Sequence, residues 1–189
     1  MARRRQISRA NAERAGESLV ESLGIHEPPV DVERIAASLS MRVVYESLSS
    51  DTSAVLIREP DGAQYIGVNA THSLARKRFS IAHEIGHAQL HFEGRPATRT
   101  EAVFDRPLEM MFRDGIASEG SNRVEIEANS FAAGLLMPAA MVRSEFRVLL
   151  TDSRQVGVDQ AVDTLAMRFA VSTQAMRFRL INLGLVDPA

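Results

Sequence analysis

Residues 83 to 91 read His-Glu-Ile-Gly-His-Ala-Gln-Leu-His, and this run constrains the fold more sharply than any other stretch. Four residues of an α-helix turn about 400°, so His83 and His87 stand one above the other, ~40° apart. Two imidazoles placed that way can share one Zn²⁺. Glu84 points beside such a metal rather than at it, where a carboxylate can take a proton from a metal-activated water. The flanks are apolar. Phe79, Ile81 and Ala82 precede the pattern, Ile85, Ala88 and Leu90 follow its start, and Ser80 is read as a cap. Burying two histidines and a glutamate without partners is costly. The helix must therefore lie in a core that supplies a third polar group.

Spacing narrows where that group comes from. The pattern H-E-x-x-H-x-x-G-x-x-H would need Gly at 90 and His at 93, and the chain has Leu90 and Glu93. His91 lies one turn beyond His87 on a face rotated further round. It is read as a partly exposed residue near the helix end, favourable to the helix dipole when charged. A glutamate from a following helix is the common completion of a His₂Glu site. Residues 124 to 138, Val-Glu-Ile-Glu-Ala-Asn-Ser-Phe-Ala-Ala-Gly-Leu-Leu-Met-Pro, provide one. Ala128, Phe131, Ala132, Leu135 and Leu136 make an apolar stripe, and Pro138 stops the run. Glu125 falls about 50° from the stripe's centre and Glu127 about 110°. Helical phase therefore favours Glu125 over Glu127 as the third ligand. Asn129, four residues on, is placed to hold the ligating carboxylate.

Two segments together, Arg78-Phe79-Ser80-Ile81-Ala82-His83-Glu84-Ile85-Gly86-His87 and Glu125-x-x-Ala128-Asn129-x-Phe131-Ala132-Ala133-x-Leu135-Leu136-Met137-Pro138, resemble the ImmA/IrrE family of zinc metallo-endopeptidases. The order of segments is similar from residue 31 to 182. The resemblance implies a zincin-like, gluzincin-type core and a Zn²⁺ site of two histidines and a glutamate. It also implies cleavage of a protein substrate, a helix-turn-helix repressor of XRE type or an antitoxin. Members of the family serve stress responses, mobile-element induction and transcription regulation.

Composition sets outer limits. The 189 residues contain no cysteine, which excludes thiolate ligands, disulfides and a cysteine nucleophile. Hydrophobic residues make up 45% and charged residues 24%, ordinary for a globular protein. The net charge of −2 gives no general attraction to phosphate. No run approaches the ~20 apolar residues needed to span a bilayer. The basic start, Arg3 to Arg5, has no apolar segment behind it and reads as a solvated tip rather than a signal peptide. A cytoplasmic protein is expected.

The chain's organisation predicts an α+β fold in two parts. Residues 1–150 form a zincin-like metallopeptidase domain, and residues 151–189 a C-terminal helical, helix-turn-helix-like segment. A helix at 9–23 ends near Gly24, and Asp31 caps a second carrying Val32, Ile35, Ala36 and Leu39. Met41 to Glu46, Ser53 to Glu59 and Gln64 to Asn69 read as strands of a small antiparallel sheet. Pro60-Asp61-Gly62-Ala63 turns the last hairpin. The H-E-x-x-H helix is expected from about Ser73 to His91. Residues 93 to 123 are irregular, with a strand at Glu109 to Arg113. Met110, Met111 and Phe112 there read equally as a substrate-binding edge and as an exposed loop. Helices at 158–170 and 174–183 flank a Val171-Ser172-Thr173 break. Arg177 and Arg179 are the only base-reading candidates of the second, and they sit among acidic residues, so packing or partner docking is preferred to DNA binding.

These readings converge on a zinc endopeptidase with His83, His87 and Glu125 as ligands and Glu84 as the base. Tyr65, His72, His91 and Arg113 are the candidates for stabilising an oxyanion. The alternative is a regulatory protein with a structural zinc site that binds a repressor or DNA without cleavage. The presence of Glu84 weighs against it, because a structural site needs no base.

Overall fold

Ser8 accepts a hydrogen bond from the Asn11 N–H and so starts the first helix, α1 (Arg9–Ser22), which ends at Gly24 with a positive φ of 64°. The computed structural model describes residues 7–92, 94–105, 119–152 and 157–188. Asp31 caps α2 (Val32–Ser38) through the Arg34 N–H. Three strands follow, β1 (Met41–Glu46), β2 (Ala54–Arg58) and β3 (Gln64–Asn69).

The sheet is mixed rather than antiparallel. Its order is β1-β3-β2-β4, with β1 parallel to β3 and the other pairs antiparallel. The cause is the connection between β1 and β2. The 60–63 turn makes β2 and β3 antiparallel neighbours, closed by the Glu59 N–H donating to Ala63 O. The 47–53 connection is long enough to carry β2 one place further out, which leaves β3 to fill the gap beside β1. Asn69, fully buried, pins that connection: its amide donates to Ser49 O at 3.1 Å and Thr52 O at 3.0 Å.

The outer strand β4 (Glu101–Asp105) pairs with β2, and Arg58 joins Glu101 across that pair at 2.8 Å. Its five residues lie where only irregular chain was expected. A short strand among Gly94, Pro96 and Pro107 has no local signal strong enough to announce it, and its partner supplies the order. The anticipated strand at Glu109–Arg113, with Met110, Met111 and Phe112, lies outside the described residues.

The central helix α3 (Leu74–His87) is capped by Ser73, which accepts from the Arg76 N–H. Ser80, expected as a cap, is buried in mid-helix. The helix continues as one wide π turn, Ala88–Phe92. Then come α4 (Glu119–Leu136), α5 (Ala139–Asp152), α6 (Val158–Phe169) and α7 (Thr173–Asn182). Sequence periodicity gave no separate α5. Pro138 was read as a stop, yet its carbonyl accepts the Val142 N–H at 3.0 Å and opens the next helix, a place where proline's missing donor costs nothing.

One face of the sheet and the helices share a single core. It contains Ile35, Leu56, Ile66, Ile81, Ile85, Phe131 and Leu135, and it runs on without a break through Leu165, Phe169, Met176 and Leu180 of the last two helices. Among the described residues no helix is long and apolar enough to cross a membrane.

Two glycines let α1 and α4 touch backbone to backbone. A Cβ on Gly134 would stand 2.1 Å from Glu13 O, and one on Gly16 would stand 2.3 Å from Phe131 O. Neither obstacle is a flexible side chain, so one helix would have to move. Gly134→Ala should therefore lose about 2 kcal/mol of stability, the overpacking cost exceeding alanine's helix-propensity gain. Urea unfolding of the variant checks this; unchanged or raised stability would mean the contact is looser than described.

Candidate metal centre

The eight residues Ser80 to His87 are all buried, because α3 passes between the sheet and α4. Histidines four apart on this helix bring their rings together: the centroids are 4.5 Å apart and the two Nε2 atoms 2.9 Å apart. Glu125 enters from α4. Its Oε2 lies 3.1 Å from His83 Nε2 and its Oε1 lies 3.4 Å from His87 Nε2. Among the described residues these three make the one group of His, Cys, Asp and Glu ligand atoms gathered closely enough to hold a metal ion.

The separations suit a small divalent ion. Tetrahedral Zn²⁺ with ligands at ~2.0–2.1 Å keeps its donor atoms about 3.3 Å apart. The chemistry suits it too. Asn129 Oδ1 accepts from His83 Nδ1 at 2.9 Å, so that nitrogen carries the hydrogen and Nε2 can keep a lone pair for a metal. Three electron-rich atoms so crowded need a cation or protons between them. Burial would raise the Glu125 carboxyl, but hydrogen bonds and charge from His83 and His87 outweigh it and hold its pKa at about 2.

Asn129 was expected beside the Glu125 carboxylate. Instead it orients His83, a role the sequence did not reveal because the partner lies on another helix. Gly86, inside the motif, is a second residue whose part was not foreseen. A Cβ there would meet Phe131 Cδ1 at 3.1 Å and Ala128 O at 3.2 Å, so α4 can come close enough for Glu125 to reach the histidines only if this residue is small.

Glu84 is fully buried on the same helix. Glu127 turns away from the cluster: its Oε2 is 3.8 Å from His91 Nε2 and its Oε1 is 3.4 Å from Arg123 Nε. The His91 side chain is therefore buried rather than partly exposed, 3% accessible, with its ring 5.7 Å from that of His87. The π turn widens the helix end and swings the ring inward against α4.

The remaining oxyanion candidates scatter. Tyr65 alternates to the sheet face opposite the buried Ile66, where the Arg42 guanidinium stands 6.0 Å from its ring. His72 precedes α3, about three helical turns before His83. Arg113 lies outside the described residues.

An α+β domain with this cluster on its central helices is metallopeptidase-like. The chain belongs to the Peptidase_M78 family: the family model, described as an IrrE N-terminal-like domain, matches residues 36–181. It is similar to "Uncharacterized immunity region protein 2" of Bacillus phage phi105, 35% identical over 75 residues, covering 40% of this chain and 39% of that protein. Its fold is similar to that of a Mycobacterium tuberculosis transcriptional regulator, with a TM-score of 0.57 and 17% identity, over 91% of this chain and 46% of the other. The chain thus spans less than half the length of either relative.

Two substitutions separate the glutamates. Glu125→Ala should abolish tight zinc binding, whereas Glu127→Ala should leave it within a few fold, as read by titration against a competing chelator. The opposite order would place the third donor on Glu127. Asn129→Ala should cost about 10–100-fold in zinc affinity, the usual effect of removing the group that orients a ligating histidine. Unchanged affinity would mean that the 2.9 Å contact is incidental.

Proposed function

We propose that this protein is a zinc-dependent endopeptidase, with His83, His87 and Glu125 as metal ligands and Glu84 as general base. The observation that carries the reading is the convergence of three donor atoms within 4.8 Å of one another, with a fourth side chain, the carboxylic Glu84, next to one of their residues in sequence. His83, His87 and Glu125 would hold a zinc ion, whose Lewis acidity would be available there to a peptide carbonyl and to water.

The chain's own residues do the rest. Asn129 fixes the His83 ring, and the buried helix fixes His87. Glu84 takes a proton from the attacking water and delivers it to the nitrogen of the breaking amide. The products are a carboxylic acid and an amine, and Glu84 returns to its ionised form. A structural zinc site would have no use for a base in that position.

Substrate class is inferred from the relatives. One is named as an immunity-region protein and another as a transcriptional regulator. A DNA-binding repressor of helix-turn-helix type, or an antitoxin, is the substrate that fits them.

Glu84→Gln tests the chemistry. The ligands remain, so the variant should keep about one zinc per chain by elemental analysis. Cleavage of a candidate repressor should fall by at least a hundredfold, within the range that positioned acid–base groups contribute. Full metal content with activity within tenfold of the unmodified protein would remove Glu84 from the mechanism. Binding of the repressor without fragments from either protein would favour a regulatory role.

A further inference from the structure

The outer edge of β1 matches a second copy of itself. In the parallel pair β1·β3, Glu46 is level with Asn69, and the Ala70 N–H donates to Glu46 O at 2.9 Å. Residues alternate along a strand, so Arg42, Val44 and Glu46 turn their backbone groups toward β3, while Val43 and Tyr45 turn theirs outward. Among the described residues β1 is an edge strand, with β3 on one side and no strand paired on the other. The edge is six residues long and runs without bulge, glycine or proline, so the devices that usually blunt an edge are largely missing. Tyr45 on it is 44% exposed. A hollow of about 420 Å³ runs beside it, between β1 and α2, lined by Glu33, Ala37, Ser40, Met41, Arg42 and Val43.

Charge selects both the occupant and the register. The strand reads Arg42-Val43-Val44-Tyr45-Glu46, with opposite charges at equal distances from Val44. We propose that two copies of this chain associate through β1, antiparallel and centred on Val44, to form one continuous sheet across a two-fold axis. In that register Val43 faces the partner's Tyr45 as a hydrogen-bonded pair, so the outward N–H and C=O groups of both residues are used, four bonds in all. Arg42 faces the partner's Glu46, and symmetry repeats the pair. Both side chains are exposed and lie on the open face of the sheet, opposite the core-facing Met41 and Val43. Registers that place Arg42 against the partner's Arg42, or Glu46 against the partner's Glu46, set like charges together and are disfavoured. The zinc cluster lies on the helical side of the sheet, so the interface leaves it untouched.

The test is sedimentation velocity of the full chain across a micromolar to near-millimolar range. Mass should rise with concentration toward twice the 20.8 kDa of one chain. Arg42→Glu and Glu46→Arg should each weaken association about tenfold or more, because each sets two like-charged pairs across the axis. The double reversal should restore it. Val43→Pro removes an outward donor without touching the β1–β3 ladder, so it should give a folded monomer with unchanged circular dichroism. Amide exchange at Val43 and Tyr45 should slow as concentration rises. A chain that stays monomeric at every concentration overturns the proposal, and so does a dimer indifferent to all three changes.

Discussion

The site depends on how closely α4 lies against its neighbours. Gly134 and Gly16 let it rest on the backbone of α1, and Gly86 lets α3 lie against Ala128 and Phe131. Those contacts fix α4 in both translation and rotation. A shift of one residue would rotate its side chains by about 100° and move them ~1.5 Å along the axis. Glu125 would then leave the histidines, with no compensating carboxylate on the same face. The small residues thus act on the candidate metal centre from a distance, by setting the phase of the helix that carries Glu125.

That phase matters because the donors are buried. Two imidazoles and a carboxylate in a low-dielectric interior are tolerated only when they satisfy one another, and a half-satisfied polar group would cost more than an apolar replacement. Here each group has a partner across the α3–α4 boundary: Glu125 with both rings, and Asn129 with His83. Packing across that boundary thus gathers the three donors, and a metal bound there would need both imidazoles neutral and the carboxylate ionised.

How much of this was legible in the sequence follows from how local each signal is. β1 and β3 were readable to the residue, because turn residues bound them and their apolar pattern is strong. Helical phase was read as putting Glu125 on the buried side and Glu127 away from it; Glu125 does lie beside both histidines, but Glu127 is the more buried of the two, packed toward His91 and Arg123. Where another element decides the outcome, the reading failed. β4 exists because β2 offers it an edge. The parallel pairing of β1 and β3 follows from a loop length and from the clasp made by Asn69. His91 is part-exposed as a residue, but its side chain is buried at the π turn, which its sequence does not signal. Gly86 stood within the motif but seemed neutral until α4 was seen against it.

The C-terminal helices show the same dependence on partners. α6 and α7 are joined by a tight turn in which Ala170 takes a left-handed conformation, φ 51°, and Ser172 caps the next helix. Of the two arginines on α7 named as base-reading candidates, Arg177 pairs with Asp159 of α6. Arg179 is buried. It donates to Met137 O at 2.8 Å, pairs with Glu13, and reaches Glu17 at 2.7 Å. Glu17 in turn accepts the Ala139 N–H at 3.0 Å, so one guanidinium ties α1, the α4–α5 corner and α7 together. Arg78 of α3 does likewise from the other side, donating to Val30 O and Ala170 O. Removing Glu13 or Glu17 would leave the buried Arg179 guanidinium with fewer partners, while the partly exposed carboxylates keep some access to water. Arg179, buried and committed in this way, cannot reach a base edge. Any role of this segment in recognition must come from its exposed side chains, Met167 and Phe178 among them, rather than from the arginine that its pattern first suggested.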